Sequence, residues 1–400
     1  MDSLGASVVS EFQGSEPNNA LPRILHVSTR HVLGGGGRNL NFTMSWERRA
    51  GYEVHLVVGT EHPVAVPEGV RLHVVPALRR ALSPPSDLRA CYDLRRLIRA
   101  HRYDMVNTHQ SKAGIIGRLA ARGLVPVLAH TIHMASFGTG YPAVQSLAFR
   151  TLERHCGRFT DLFVAVGHDI KNRYVRAGIG HDYQYLVVRS PIDVHHMAEV
   201  RTLSDPERAL RRARLGLPQS VRVIASVGLL EPRKRIALLI RGLAPLLHAN
   251  TDVFLAIAGT GPEEMRLRSL SAELGLESRI RFLGWIGDVA DLLAVTSLLV
   301  QTSSAEGVSQ VIIQALAAGV PVVATDVEGL HEIAGAPITV VDRRARGLLP
   351  SCNRVLIRGG RPTVAIEHFS DWTQERVTSG LSEVHKRAGD VLVKRSTVPR

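Results

Sequence analysis

Several features that would narrow the function are scarce in this chain. Only three of its 400 residues are cysteines, and Cys91, Cys156 and Cys352 lie far apart with no CxxC spacing. This usage argues against a disulfide framework or a cysteine zinc site and is typical of a reducing cytosol. No apolar run approaches the roughly 20 residues that a transmembrane helix needs. Aromatic residues make up only 5% of the chain, which argues against the stacking platforms of single-strand nucleic-acid binders.

The remaining composition indicates two globular domains. A length of 400 residues with 45% hydrophobic content exceeds one comfortable core. The formal net charge of +13 is compatible with a nucleic acid, an anionic membrane surface or an anionic small substrate as partner. Because the arginines are scattered through helical stretches, no specific nucleic-acid binding is expected. Residues 1–20 are polar and carry Asp2, Glu11 and Glu16, so we expect a disordered tail there and not a signal peptide.

The first half of the chain alternates short apolar runs with amphipathic helices. The predicted strands are RILHVST, EVHLVVG, VRLHVVP, YDMVNTH, VPVLAHTIH and LFVAVG. The predicted helices cover residues 39–50, 86–101, 111–122, 142–156 and 168–177. Continuous apolar strands between helices indicate a parallel sheet with both faces covered.

The second half repeats this alternation after a charged stretch, residues 195–220, which we interpret as a linker with its own helix. The predicted strands are VRVIASVG, VFLAIAG, RIRFLG, LLVQTS, PVVATDV and ITVVD. The predicted helices cover residues 236–248, 262–274, 288–295 and 308–318. Both halves are therefore predicted to be doubly wound α/β domains, whose ligands bind at the carboxyl ends of the strands.

A run of four glycines, in STRHVLGGGGRN, follows the first strand and precedes the first helix. Around Gly36 and Gly37 the bare backbone can approach an anion, and the helix N-terminus adds partial positive charge. Arg38 lies just inside the helix. A flexible turn is the alternative. An NAD site is disfavoured, because the spacing is not GxGxxG and the second strand ends in Gly59 and Thr60 instead of an acid.

Polar side chains follow two other strands of the first domain. His133 closes AHTIHM, and His109 lies in NTHQSKAG. Ser111 and Lys112 open the next predicted helix and could contact an acceptor. A lone histidine is often a structural residue, so a structural role and a role in the ligand site both stay open for His109 and His133.

Three glycine turns mark the strand ends of the second domain. SVGLLEPRKR places Gly228 before a cation run in which Arg233 and Lys234 could bind phosphate, although such runs are usually solvated. AIAGTGPEE places Gly261 before a helix.

In SSAEGVSQVIIQALAAG, Gly307 bares backbone N–H groups at a predicted helix start, and Glu306 can accept hydrogen bonds from hydroxyls. An anion site beside a hydroxyl acceptor suits a sugar diphosphate; an ordinary helix start with a surface acid is the alternative.

Taken together, these motifs resemble the retaining glycosyltransferases of family 4, which have the GT-B fold of two Rossmann-like domains facing across a cleft. The resemblance covers residues 22–333 and the final helix FSDWTQERVTSGLSEV. The motifs that carry it are GGGGRN, VNTHQSKAGIIGRLAA, HTIH, DLFVAVGHDI, SVGLLEPRKR, AGTGPEE, RFLGW and SSAEGVSQVIIQALAAGVPVVATDVEGLHEI.

The resemblance implies roles for individual residues. His133, Glu306 and Lys234 would be catalytic: His133 beside the donor sugar, Glu306 on its hydroxyls and Lys234 on the diphosphate. His109, Ser111 and Lys112 would face the acceptor. The residues implied in donor binding are Gly36, Gly37, Arg38, Gly228, Arg233, Gly261, Trp285, Ile286, Gly307, Val308, Ser309, Gln310, Val311 and Gln314. No DxD pair occurs in the chain, so neither a metal nor another cofactor is expected beyond the nucleotide-sugar co-substrate.

The sequence departs from the family pattern at three places. Leu229 occupies the position of an arginine five residues before the phosphate lysine, and Gln314 that of a glutamate eight residues after Glu306. Each change removes a charge-assisted contact, which is typically worth ~1.5–3 kcal/mol. Arg38, Arg233 or Arg235 could compensate for the missing arginine. Residues 333–368 are shorter than in the family, and we expect RRARGLLPSCNRVLIRGGRPTV to replace the usual helix.

The predicted organisation is a tail (1–20), an acceptor domain (21–194), the linker (195–220), a donor domain (221–368), a helix crossing back to the first domain (369–388) and a basic tail (389–400). The predicted activity is metal-independent transfer of a hexose-like sugar, with a UDP-sugar favoured, to a small-molecule or lipid-linked hydroxyl with retention. The alternative is a GT-B protein that binds a nucleotide sugar or a partner without turnover. A cytoplasmic location is expected, and peripheral contact with the inner membrane face stays open. Residues 87–102 form the best candidate membrane helix, although a solvated face is favoured.

Overall fold

The computed structural model describes residues 22–32, 34–62, 65–138, 140–333 and 335–397. The chain divides into two compact units. The first comprises the described residues of Met1–Pro191 and Gln374–Arg400, and the second comprises Ile192–Thr373. The expected tail at 1–20 lies outside the described residues. Among the helices that the structure describes, none is both long and apolar enough to span a bilayer.

The first unit is built on a parallel sheet with the order β3-β2-β1-β4-β5-β6-β7. Its described strands are β1 (Arg23–Val27), β2 (Glu53–Val58), β3 (Arg71–Val74), β4 (Met105–His109), β5 (Val127–Ile132), β6 (Leu162–Ala165) and β7 (Tyr185–Val187). The helices between them are α1 (Gly35–Arg49), α2 (Pro84–His101), α3 (Ser111–Ala121), α4 (Ala143–Gly157) and α5 (His168–Arg176).

Helix α2 shows how sequence spacing places these helices on the sheet. Its buried residues Ala90, Leu94 and Ile98 recur every four positions and form one apolar stripe. Pro84 lies at its start, where a missing backbone N–H costs nothing. The stripe packs against strand residues such as Leu25, with which it forms one apolar cluster. A second apolar cluster covers the opposite face of the sheet. Both faces are therefore covered, as continuous apolar strands predict.

The second unit has a parallel sheet with the order β10-β9-β8-β11-β12-β13. Its described strands are β8 (Arg222–Val227), β9 (Val253–Ala258), β10 (Ile280–Gly284), β11 (Thr296–Gln301), β12 (Val322–Thr325) and β13 (Ile338–Val341). Its α-helices are α6 (Val194–Glu199), α7 (Asp205–Arg214), α8 (Ile236–Ala249), α9 (Glu264–Glu273), α10 (Val289–Val295), α11 (Gln310–Ala317) and α12 (Leu348–Arg358). The last helix of the chain, α13 (Gln374–Thr397), belongs to the first unit.

Four details differ from the sequence-based prediction. The short strand β7 was not predicted. Helix α12 forms where we expected the usual helix to be replaced. Its Pro350 does not prevent this, because it lies in the first turn, where proline is tolerated. The expected linker contains helices α6 and α7, and Met197 and Leu217 are buried in the core of the second unit. Helix α13 continues to Thr397, so residues 389–397 are helical and not a separate tail.

Candidate functional site

The candidate residues of the second unit lie after four neighbouring parallel strands. Gly228 follows β8, Gly261 follows β9, and Trp285 and Ile286 follow β10. Glu306 follows β11. Because parallel strands end at the same edge, the fold collects these positions at the carboxyl edge of the sheet β10-β9-β8-β11. Arg233 and Lys234 lie at this edge too, in the short 3₁₀ helix Pro232–Lys234.

Glu306 is held by four side chains. The Lys234 ammonium and the Ser303 hydroxyl donate to Oε1, the latter at 2.6 Å. The Gln301 amide donates to the same oxygen at 2.9 Å. Arg233 Nη1 donates to Oε2 at 3.2 Å. We call Glu306, Lys234, Arg233, Ser303 and Gln301 the Glu306 network.

Charge keeps this carboxylate ionised. Burial alone would raise the pKa of Glu306, but the charges of Lys234 and Arg233 lower it to about 2. Burial lowers the pKa of Lys234, an effect that Glu306 opposes. Burial opposes protonation of Arg233 as well, but Glu306 and the buried Glu231 raise its pKa above the ordinary value. Glu306 is therefore an acceptor only, across the whole physiological pH range.

Two glycines allow the backbone to come close to this network. At Gly228, where φ is +151°, a Cβ atom would lie 3.2 Å from Lys234 Cε, so the glycine gives the lysine stem its space. At Gly329, where φ is +79°, a Cβ atom would lie 1.4 Å from the carbonyl oxygen of Gly307. Any side chain at residue 329 would displace the loop that leads from Glu306 into helix α11.

Helix α11 begins at Gln310, two residues later than predicted, with Ser309 as its N-cap. The Ser309 hydroxyl donates to Gln301 Oε1 at 2.7 Å, which joins the helix start to the Glu306 network. Among the described residues, the backbone N–H groups of Val308, Ser309 and Val311 have no hydrogen-bond acceptor. N–H groups of this kind at a helix start form an anion-binding site.

Arg235 does not join the network, although it follows Lys234 directly. Its guanidinium donates to the carbonyl oxygens of Thr302 and Ser303, at 2.6 and 2.9 Å. It therefore holds the backbone in front of Glu306 and is not available to replace the arginine missing at Leu229. Arg233, by contrast, contacts Glu306 directly, at 3.2 Å.

Three further predicted donor residues, Trp285, Ile286 and Gln314, lie outside the Glu306 network. Trp285 is 38% exposed, and Ile286 packs against the apolar core. Gln314 is 9% exposed on α11, and its side-chain amide has no hydrogen-bond partner among the described residues.

The glycine run of the first unit forms the first turn of α1, which begins at Gly35, four residues earlier than predicted. A Cβ atom on Gly37 would lie 2.2 Å from the carbonyl oxygen of Val32, whereas one on Gly36 would meet nothing within 4 Å. Arg38 donates its backbone N–H to Gly34. The run is therefore a close-packed helix start and not a flexible turn.

The residues predicted near the acceptor lie at the end of β4 and the start of α3, and His133, predicted beside the donor sugar, follows β5. His109 ends β4, His133 follows β5, and the two rings stack with centroids 5.4 Å apart. Ser111 is half-buried at the start of α3. Lys112 is buried and forms an ion pair of 2.5 Å with Asp87, so its charge is already balanced within the protein.

Sequence reasoning missed several partners of these residues. In the second unit they are Glu231, Gln301 and Ser303. Gln301 is the last residue of β11, and Ser303 follows two residues later in LLVQTSS. In the first unit they are His26 and Glu47, which contact each other, and His26 also contacts His109. The position of Gln301 and Ser303 at a strand end was a usable signal. Nothing in the sequence marked Glu47, which lies within an amphipathic helix.

Comparisons with known proteins agree with this geometry. The family model described as "Glycosyl transferases group 1" matches residues 207–343, and "Glycosyl transferase 4-like domain" matches residues 34–191. A galactosyltransferase of Escherichia coli, UDP-Gal:alpha-D-GlcNAc-diphosphoundecaprenol alpha-1,3-galactosyltransferase, is 25% identical over 313 residues, which are 77% of this chain and 80% of the relative.

Two solved structures share the fold. HepE of Anabaena, crystallised with UDP and glucose, has a TM-score of 0.63 and 20% identity, covering 94% of this chain and 97% of its own. WaaG, a glycosyltransferase of lipopolysaccharide biosynthesis, has a TM-score of 0.69 and 17% identity, covering 92% and 99%. The two Rossmann-like parallel-sheet units and both family matches lead to one conclusion: the chain belongs to the GT4-like, group 1 glycosyltransferases of the GT-B fold.

Proposed function

We propose that this glycosyltransferase transfers a hexose from a UDP-sugar to a hydroxyl acceptor, with retention of configuration and without a metal ion. The observation that carries the proposal is the Glu306 network. It places an ionised carboxylate, an ammonium group and a guanidinium beside the start of helix α11. A sugar diphosphate offers the matching groups, namely hydroxyls that donate and phosphate oxygens that accept.

The diphosphate would bind Lys234 and the N-terminus of α11. An ammonium group has three N–H donors, and Lys234 uses one of them on Glu306. The other two can bind phosphate oxygens while Glu306 stays in place. The backbone N–H groups of Val308, Ser309 and Val311 would bind a second anionic oxygen.

UDP is the proposed nucleotide. Trp285, at 38% exposure, offers a ring face for the base at the same sheet edge, with Ile286 beside it. Gln314 would bind the ribose through its amide, because a partly buried amide without an internal partner gains a hydrogen bond there. Two proteins similar to this chain support the choice: HepE was crystallised with UDP and glucose, and the Escherichia coli relative is named for UDP-Gal.

The barrier to transfer lies in breaking the bond between the anomeric carbon and the leaving diphosphate. Negative charge grows on the leaving oxygen, where Lys234 and Arg233 stabilise it. The sugar gains oxocarbenium character, and Glu306 fixes its orientation through hydroxyl groups. For retention, the acceptor hydroxyl attacks from the side that the diphosphate leaves, and the leaving phosphate takes the acceptor proton.

Metal independence is part of the proposal because this chain offers its own cations. Two fixed side chains, Lys234 and Arg233, would supply the positive charge that a DxD-bound metal supplies in other transferases. The sequence contains no DxD pair. Activity that persists in EDTA is the expected result, and activity restored only by Mg²⁺ or Mn²⁺ would overturn this part.

The acceptor is proposed to be a hydroxyl compound, either a small molecule or a lipid-linked sugar, that lies near the start of α3. Of the residues expected there, the Ser111 hydroxyl is half-buried, whereas Lys112 is bound to Asp87. Ser111 is therefore the better donor or acceptor toward substrate. A lipid-linked acceptor fits the name of the Escherichia coli relative.

The experiment compares Glu306→Gln with Glu277→Gln, an exposed glutamate of the same unit, in a transfer assay over a panel of UDP- and GDP-sugars. We expect Glu306→Gln to lower kcat by about 10²- to 10³-fold, because an interaction aimed at the reacting sugar is lost, and Glu277→Gln to match the native protein. Equal rates in the two variants would contradict the site. UDP binding by calorimetry without any transfer would instead favour a binding protein, which Leu229 and Gln314 would explain.

A further inference from the structure

A cavity of about 560 Å³ opens in the second unit, at the edge of the sheet opposite the Glu306 network. Its wall includes Arg222, the first residue of β8, and Thr296, the first residue of β11. The Glu306 network lies after the other ends of these two strands. Strand β8 has six residues, which extend over about 17 Å. A ligand of this amino-edge cavity would therefore be separate from the proposed sugar donor.

The wall of the amino-edge cavity carries an excess of positive charge. It contains four arginines and no lysine: Arg208, Arg212, Arg222 and Arg361. Arg222 is balanced by Asp252, at 2.8 Å. The other three arginines form no ion pair with any residue that the structure describes. The lining contains one acid, Asp205, so positive charge remains uncompensated in this cavity.

Two of these arginines are fixed by backbone carbonyl groups. The Arg361 guanidinium donates to carbonyl oxygens at the ends of α10 and α11 and at the start of β11, at 2.8 to 3.3 Å. Arg208 donates to one of the same oxygens, that of Ala294. Carbonyl oxygens orient a guanidinium but carry no formal charge. Both side chains are therefore held in place while their charge stays available to an anion.

Arg212 has the most unused hydrogen-bonding capacity of the three. It lies one turn after Arg208 on α7 and is half-buried. A guanidinium has five N–H donors, and Arg212 uses one of them, on the carbonyl oxygen of Pro218 at 3.1 Å. Burial and the neighbouring charge of Arg208 lower the pKa of Arg212, and the same two causes lower that of Arg361 to about 10. An anion between these groups would relieve their repulsion.

The cavity matches a small phosphorylated molecule better than a single ion. The planar fork of a guanidinium fits the oxygens of a phosphate group, and a phosphomonoester carries a charge of about −1.5 to −2 at neutral pH. Ser297 and Gln219 place a hydroxyl and an amide in the wall, beside the apolar Val355 and Leu356. The volume lies within the roughly 300–1,000 Å³ that small-molecule sites occupy.

We propose that the amino-edge cavity binds the phosphomonoester of a small hydroxylated molecule through Arg208, Arg212 and Arg361. The phosphate lies between the three guanidinium groups. The organic part extends along Val355, where the Ser297 hydroxyl can bond its hydroxyl groups. This site and the Glu306 network can be occupied at the same time, and the inference does not depend on the proposed function.

Calorimetry with ribose 5-phosphate as the probe tests the site in the native protein, with and without saturating UDP. We expect binding under both conditions, weaker binding of inorganic phosphate and none of ribose. The absence of ribose 5-phosphate binding at millimolar concentration would overturn the proposal. Equal affinities for ribose 5-phosphate and inorganic phosphate would overturn it as well, because the organic part would then make no contact.

Arg212→Gln removes one charge from the cavity and is compared with Arg214→Gln. Arg214 is an exposed arginine of the same helix that does not line the cavity. We expect Arg212→Gln to weaken ribose 5-phosphate binding by about 10- to 100-fold, the value of one charge-assisted contact. Arg214→Gln should stay within about 2-fold of the native protein, and UDP affinity should be native in both. Equal losses in the two variants would show attraction by the overall charge and overturn the site.

A second variant tests the site by filling it. Ala209 lines the cavity, so Ala209→Glu would place a carboxylate among the arginines, where the phosphate is proposed to bind. Ala213→Glu, one turn later on α7 and outside the cavity, is the matched control. We expect Ala209→Glu to weaken ribose 5-phosphate binding by at least about 10-fold and the control to bind normally. Native binding in Ala209→Glu would overturn the proposal.

Phosphate groups also occur on lipid headgroups and on nucleic acids, so the same variants are tested against both. Phosphatidic acid vesicles in a sedimentation assay and a single-stranded RNA in a gel-shift assay are the probes. We expect Arg212→Gln and Arg214→Gln to behave alike toward each. If only Arg212→Gln lost vesicle or RNA binding, the cavity would serve a macromolecular surface, and the assignment of a small ligand would be wrong.

Discussion

Each unit contains one buried carboxylate whose pKa is about 2, and the two are stabilised by different partners. Glu306 faces Lys234 and Arg233, which carry permanent charge at neutral pH. Glu47 faces the buried rings of His26 and His385, at 2.6 and 3.1 Å. The second unit therefore keeps a fixed charge pattern, which suits the anionic ligand proposed for it. In the first unit the carboxylate has a histidine ring at each oxygen instead.

The largest effect is expected from Lys234→Met, which removes a cation from the Glu306 network. The leaving diphosphate would lose its main donor, so kcat should fall by about 10²- to 10³-fold. The affinity for UDP should fall by ~1.5–3 kcal/mol, the value of a charge-assisted contact. Steady-state transfer and calorimetry measure the two effects.

The control for Lys234→Met is Lys171→Met, which removes a lysine paired with Asp182 at 2.9 Å in the first unit. Its kinetics should be native. The double variant Lys234→Met/Glu306→Gln separates folding from catalysis. Removing one partner leaves a buried charge uncompensated, so the double variant should regain thermal stability over Lys234→Met but no activity. A double variant that regains transfer would show that Lys234 only balances Glu306.

An intermediate effect is expected from acidification, which should destabilise the first unit before the second. The pKa values of His133 and His73 are lowered to about 4, first of all by burial. Between pH 6.5 and about 4 the unfolded chain therefore binds more protons than the folded one, and the free energy of unfolding decreases as pH falls. Glu306, with its pKa lowered from 4.5 to about 2, contributes stability above pH 4.5 that is lost only toward pH 2.

Hydrogen exchange of peptides from each unit at pH 7.5 and 5.5 measures this order. Each buried neutral histidine contributes up to about 1.4 kcal/mol per pH unit. Once each rate is divided by the intrinsic exchange rate at the same pH, the strands β1, β4 and β5 should be less protected at pH 5.5, while β8 and β11 should change little. In His133→Asn the pH effect on the first unit should shrink. Equal acceleration in both units would show that the histidines do not set the acid response.

The smallest effect is expected from Gln314→Glu, which restores a carboxylate at the position where the family has one. A charged acceptor on the ribose should tighten UDP binding by about 2- to 10-fold, which corresponds to roughly one hydrogen bond. Gln310→Glu, one turn earlier on α11, is the matched control and places the charge near the proposed diphosphate site, so it should weaken binding. If Gln314→Glu leaves the affinity unchanged, the ribose does not contact this residue.

The sequence predicted the two sheets and most helices because buried parallel strands are continuous apolar runs. Helix α2 and strand β9 illustrate this agreement. Strand β7 was missed because three residues are too short to show periodicity. Helix α12 was missed because the family comparison led us to expect that the usual helix was replaced there. Its buried residues Leu348, Cys352 and Leu356 follow a four-residue spacing that was visible in the sequence.

The candidate site was predicted in part, for a physical reason. Glu306, Lys234 and Gly228 follow strands, and the carboxyl ends of parallel strands meet at one edge, so their proximity could be expected. The contacts of His109 with His26 and His133 could not, because these residues lie 83 and 24 positions apart and meet through side-chain geometry. Neither propensity nor spacing encodes which ring nitrogen meets which partner.

Hydrogen–deuterium exchange with and without UDP tests most directly whether the Glu306 network and the start of α11 bind the nucleotide diphosphate. The N–H groups of Val308, Ser309 and Val311 lack acceptors among the described residues, so a bound phosphate should slow their exchange. We predict protection of the peptides that cover residues 228–235 and 306–313, and none at β13. Binding of UDP that leaves both peptides unprotected would contradict the account.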